Sequence, residues 1–212
     1  MSSHAKEAFV RAAVDVDNLL WFHEEVGGDG QGKRGRHFQS LNKSAIVLLC
    51  AAWETYIETV ILECADRNID AAVKPADMLR SLQKITQTHI RDGKVENAWI
   101  SAAGDGWKEL TKSLARNKVS SLNNPKPGPI IEIMKAVLDI EDVSDNWIWH
   151  KNPLGTPSRQ LKDFVILRGG IAHGERPRNS VTKSVVNKSY DLIVRSVDCI
   201  EIKLAAVGLL PQ

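Results

Sequence analysis

Apolar residues in this chain recur every three or four positions, and no segment shows the two-residue alternation of a strand. Phe9, Ala13, Val16 and Leu20 predict a first helix, capped by Ser3, that runs to about Val26 and stops at Gly27-Gly28-Asp29-Gly30. The longest helix is expected from about Leu41 to Asp66, with Trp53, Ile57, Val60 or Ile61, and Cys64 on one side. Residues 45–53 are apolar nearly all round, which places them at the axis of a helical bundle. Pro75 opens a shorter helix bearing Leu79, Leu82 and Ile85, and Asp92-Gly93 breaks it. A weaker helical stretch, with Asp105 or Gly104 near its start, carries Trp107, Leu110 and Leu114.

The prolines of Asn123-Asn124-Pro125-Lys126-Pro127-Gly128-Pro129 forbid continuous helix. The helices on either side are too short to form separate cores, so this is a hinge within one domain spanning residues 1–212. Pro129 fits the first position of a helix with Ile130, Ile133, Met134, Val137 and Leu138 on one face. A loop over residues 142–151 holds Trp147 and Trp149, rings suited to plugging a core gap or, alternatively, to stacking on bases. Thr156-Pro157 starts another helix, and a last one is expected from about Val181 to Val207 with Val186, Tyr190, Ile193, Val197, Ile200 and Leu204 as its stripe. The pattern as a whole predicts an all-α, up-down helical bundle with long helices, extended loops and no sheet.

One residue breaks the pattern. On the wheel of the helix after Pro157, Phe164, Val165, Ile171 and Ala172 fall within about 80° of Leu161, and Arg168 falls among them. A charge on a core-facing stripe requires an internal carboxylate, a partner subunit or an anionic ligand. Glu54, directly after the apolar run of the long helix, is one such carboxylate; a solvated Glu54 is the alternative.

Composition narrows the function classes. A 43% hydrophobic and 25% charged chain of net charge +2 is an ordinary globular one, and its overall charge does not announce nucleic-acid binding. Cys50, Cys64 and Cys199 are widely spaced without a C-x-x-C pair, which favours free thiols in a reducing cytoplasm. The longest uninterrupted apolar run, Ala45 to Trp53, is nine residues. That is short of the ~20 that cross a bilayer, and no leader-like segment opens the chain, so a cytoplasmic, unanchored protein is expected. The glycine-rich basic stretch Gln31-Gly32-Lys33-Arg34-Gly35-Arg36-His37 lacks the spacing of a phosphate-cradling loop and suits a solvated loop or an RNA-gripping arm.

The six histidines are scattered, no two at i and i+4, so neither metal nor cofactor is expected. There is no G-x-S-x-G nucleophile elbow. Arg168 and His173 remain, at the end of one helix in Leu167-Arg168-Gly169-Gly170-Ile171-Ala172-His173-Gly174. The helix terminus favours a protonated imidazole, and an arginine holds phosphate. The pair suits phosphodiester cleavage by a ribose 2′-hydroxyl, which needs proton transfer and charge neutralisation. Five helical residues turn the chain by about 140°, so the two side chains diverge unless Gly169-Gly170 distorts the turn; a two-fold dimer would bring two copies of each to one cleft. The structural alternative is a buried Arg168–Glu54 pair with His173 as a cap for terminal carbonyls.

Leu167 to Gly174 resembles the R-x4-6-H signature of the HEPN superfamily, helical proteins of prokaryotic defence and toxin systems. The stretch Ile46 to Glu58, with Trp53-Glu54-Thr55-Tyr56, is similar to the second helix of its RiboL-PSP-type members, as is Trp147-Ile148-Trp149 ahead of a proline-capped helix. The similarity runs from about residue 41 to 205. It implies a HEPN-type bundle that dimerises through its motif-bearing helices and a metal-independent endoribonuclease of toxin or phage-defence type, leaving a 2′,3′-cyclic phosphate on single-stranded RNA. Carried over, Arg168 stabilises phosphate charge, His173 transfers the proton and Glu54 orients one of them. Arg176, Arg178 and Lys183 would extend the positive cleft along RNA. The implied partners are a second copy of the chain, RNA, and an antitoxin or other defence-system protein. Gly169 stands where active members commonly carry a polar residue. Related domains without the full signature serve instead as non-catalytic modules that bind RNA, a nucleotide or a partner protein.

Overall fold

The computed structural model describes residues 2–27, 36–92, 98–149, 155–174 and 180–211. Among them the chain forms eight α-helices and no strand: α1 (His4–Gly27), α2 (Arg36–Ala71), α3 (Arg80–Arg91), α4 (Ala98–Ser101), α5 (Gly106–Val119), α6 (Pro127–Leu138), α7 (Thr156–Ala172) and α8 (Lys183–Ala206). The all-α bundle expected from the sequence is the fold observed.

α2 is the axis. Its 36 residues rise over about 54 Å, and α1, α5, α6, α7 and α8 all pack on it, with α3 laid over α5 and α6. Ala45, Ile46, Leu49, Cys50, Ala52 and Trp53 are buried along its first half, but Leu48 is 40% exposed, so the helix is not covered on every side. By length and composition α2 is also apolar enough to cross a bilayer; here 56% of that apolar window is buried inside the bundle.

Hydrogen bonds fix the helix directions. The buried Asn42 side chain donates to the Val181 carbonyl at 2.9 Å and the Tyr56 hydroxyl to Glu201 at 3.1 Å, so α2 and α8 run parallel. α1 runs against both. Its opening amides, those of His4 and Ala5, donate to the Glu63 carboxylate (3.2 and 3.0 Å), and Ser3 donates through its amide and hydroxyl to Glu201 (3.1 and 2.6 Å). The Ser3 hydroxyl in turn accepts from the Lys6 amide, as expected of a capping residue. Two carboxylates from different helices thus satisfy the otherwise unpaired donors at the start of α1.

Several local expectations change. Pro75–Asp77 is an isolated 3-10 turn rather than the start of α3. The chain leaves helical geometry at Met78 and Leu79, where Asn68 accepts the Leu79 amide and Asp139 the Ser81 amide, replacing intrahelical partners. The short α4 was not anticipated. On α5 the buried residues are Trp107, Thr111, Ala115 and Val119, with Leu110 and Leu114 half-buried. The Thr111 hydroxyl donates to the Trp107 carbonyl (2.7 Å) and shares a 2.8 Å bond with Thr86, so a polar residue is satisfied inside. α6 starts at Pro127, two residues before the proline expected to open it, and buries the predicted face in full.

Trp147 plugs the core, fully buried, while Trp149 is only half-buried. The proline hinge is tied inward by the Trp53 indole, which donates to the Pro125 carbonyl at 3.0 Å. The N-terminal latch sets the stability of α1: Glu201→Ala should cost about 2–3 kcal/mol in denaturant unfolding and strip hydrogen-exchange protection from the first turn of α1 while leaving α2 protected.

Candidate functional site

α7 begins after Gly155, whose φ of 84° is left-handed, and carries a buried Pro157 in its first turn. Leu161, Phe164 and Val165 are buried, which anchors the helix one turn before Arg168. Arg168 is consequently held half-buried, and its Nε is enclosed without a hydrogen-bond partner among the described residues.

α7 packs on α2, where Cys50, Glu54 and Glu58 recur at i, i+4 and i+8. The charges of Arg168 and Glu54 are both felt at the Cys50 thiol, which burial chiefly pushes up to about 11, against the lowering effect of Arg168. Glu58 is raised by burial and then by the like charge of Glu54. Arg168 and Glu54 both act electrostatically on one buried thiol, and no salt bridge joins the two. Cys50 is the buried free thiol that the sequence predicts, and its four-residue spacing from Glu54 is the signal that links it to this carboxylate.

The glycine pair leaves the helix intact. α7 continues through Gly169 and Gly170 to Ala172, the His173 amide donates to the Gly169 carbonyl at 3.0 Å, and Gly174, at φ 70°, turns the chain out of the helix. His173 closes α7 with its backbone, and its side chain is exposed. With no distortion, Arg168 and His173 project about 140° apart. One copy of the chain brings Arg168 and Glu54 into the same neighbourhood and keeps His173 out of it.

Arg176 and Arg178 lie outside the described residues. Lys183 is the first residue of α8, just after the Thr182 cap, whose hydroxyl accepts the Val185 amide at 3.4 Å. Among the described residues no group of three His, Cys, Asp or Glu side chains is placed to hold a metal ion.

Two measurements test this geometry. A Cβ at Gly169 meets nothing within 4 Å, so Gly169→Ala should stabilise the protein by about 0.5–1 kcal/mol, read as a raised midpoint in urea. Cys64, like Cys50, is buried, with its thiol pushed up to about 12 chiefly by burial. Both thiols stay protonated in the fold above the pH at which they ionise in the unfolded chain. Their contribution is present below about pH 9 and is lost as pH rises towards 11–12. Unfolding titrations should show stability falling from about pH 9, with a shallower slope in Cys64→Ala.

The RiboL-PSP-HEPN family profile matches residues 21–206. No curated protein and no solved structure matches the chain. The matched span runs from within α1 to the last residue of α8 and takes in both α2 and the Arg168–His173 segment, and the chain belongs to the RiboL-PSP-HEPN family.

Proposed function

We propose that the protein is a metal-independent endoribonuclease of prokaryotic toxin or phage-defence type that cleaves single-stranded RNA at a site shared by two copies of the chain. The family is one often associated with ribonucleases, which supports the reaction class. The observation that carries the reading is the end of α7: a half-buried arginine with an unpartnered Nε and an exposed histidine, separated by an unbroken turn of helix. Neither group completes a site within one chain. A two-fold axis beside α7 sets the Arg168 and His173 of each copy around one cleft.

The chemistry is internal transfer. His173 of one copy accepts the proton of a ribose 2′-hydroxyl as its oxygen attacks the adjacent phosphorus. The bond from phosphorus to the 5′-oxygen breaks, His173 of the other copy protonates that leaving oxygen, and a 2′,3′-cyclic phosphate remains. Arg168 neutralises the charge that grows on the phosphoryl oxygens. Glu54, within electrostatic range of the same thiol as Arg168, acts as a positioning residue for the guanidinium. Arg176, Arg178 and Lys183 track the RNA backbone. Three free cysteines suit a reducing cytoplasm, where an antitoxin or other defence protein would restrain such an activity.

Gly169 favours a second reading, a non-catalytic module that binds RNA, a nucleotide or a partner protein, because it leaves the polar position beside Arg168 empty. Incubation with single-stranded RNA in EDTA separates the two. The nuclease yields cyclic-phosphate ends, and Arg168→Ala or His173→Ala lowers the rate by roughly 10²-fold or more with the helical content retained. RNA that is bound but left whole points to the module. A protein that sediments as a monomer at micromolar concentration removes the shared cleft.

A further inference from the structure

Between α7 and α8 lies a groove of about 430 Å³, large enough for a small planar ligand. Trp149 forms one wall, with part of its ring against the core and part facing the groove. Phe164 and Leu167 make the floor, and the exposed Gln160, Asp163 and Lys188 stand at the rim. Asp191, also at the edge, is held by Arg195 at 2.9 and 3.0 Å, so its charge is compensated. Trp147, two residues away, is fully buried and fills the core gap, which frees Trp149 from that task.

We propose that this groove is a nucleobase subsite, in which an unpaired base of single-stranded RNA stacks on Trp149. The inference rests on the RNA-cleaving reading given above. An indole face accepts the π-surface of any base. The groove also carries an exposed carboxamide, carboxylate and ammonium, of Gln160, Asp163 and Lys188; a nucleotide uses all three, whereas a purely apolar segment of a protein partner uses none. Asp163 accepts from an exocyclic amino group, Gln160 donates to or accepts from the base edge, and Lys188 meets the phosphate.

The groove is also placed to serve the proposed site. On the wheel of α7 its lining positions cluster around Leu167, with Arg168 about 100° to one side and His173 about 120° to the other. From Leu167 to His173 the helix advances about 9 Å. A base held here therefore positions its strand within a nucleotide or two of the Arg168–His173 end.

The test uses His173→Ala protein in EDTA, labelled with 5-fluorotryptophan, so that RNA stays intact. The Trp149 fluorine resonance is assigned by its loss in Trp149→Phe. Titration with AMP, CMP and an unstructured RNA oligonucleotide should shift that resonance saturably and leave those of Trp53 and Trp147 in place. Trp149→Ala should weaken oligonucleotide binding by about 5- to 150-fold, and Trp149→Phe by less than about threefold. Should Trp149→Ala fail to fold, the fluorine titration still decides. A resonance that stays fixed while RNA binds overturns the subsite and leaves the nuclease reading standing. A Trp149 resonance that responds to nucleotides, in a protein whose wild type leaves RNA whole, keeps the subsite and removes the nuclease reading. A resonance that moves with protein concentration and not with RNA assigns the groove to contacts between copies and overturns the proposal.

Discussion

The bundle depends on the burial of one apolar helix. α2 carries Trp53, Tyr56, Ile57, Val60, Ile61, Cys64, Ala65 and Ile69 at near-zero exposure, and such a surface is stable in water only when other helices cover it. Five helices do so, and their directions are set by the few polar atoms they carry into contact with it. Asn42, Trp53 and Tyr56 each bring a donor into the interior, and each finds an acceptor on another element: Val181, Pro125 and Glu201. Hydrophobic burial drives the assembly, and these bonds select one register among the many that burial alone would allow.

The same helix explains why a charge survives on α7. Arg168 is carried to α2 by the packing of Leu161, Phe164 and Val165, not by an ion pair. Its guanidinium lies within electrostatic range of Cys50, whose thiol feels Glu54 as well, and its Nε remains a buried donor without a partner among the described residues. A structural salt bridge would have closed that valence.

Much of the architecture was legible because helix periodicity survives translation into packing. The face of α6 follows its apolar stripe, that of α8 does so except at Tyr190, which is half-buried, and Ser3 caps α1 as its residue type suggests. The errors fall where tertiary contacts compete with local preference. Thr111 and Ala115 face the core of α5 in place of Leu110 and Leu114 because Thr86 satisfies the Thr111 hydroxyl across the interface. The helix expected from Pro75 is interrupted because Asn68 and Asp139, distant in sequence, accept amides that helical bonding would otherwise have used.

At the candidate site the division is similar. The sequence by itself determined the all-α class, the apolar axis in α2, and the presence of Arg168 and His173 at one helix end, because spacing along a helix is a property of the chain. Only the tertiary structure decided that Gly169 and Gly170 stay helical, that Arg168 and Glu54 both act electrostatically on the Cys50 thiol, and that Trp147 and Trp149 part company into core and groove. Those outcomes depend on which side chains arrive from α2 and α8, and no local pattern in residues 142–174 encodes the neighbours that packing delivers.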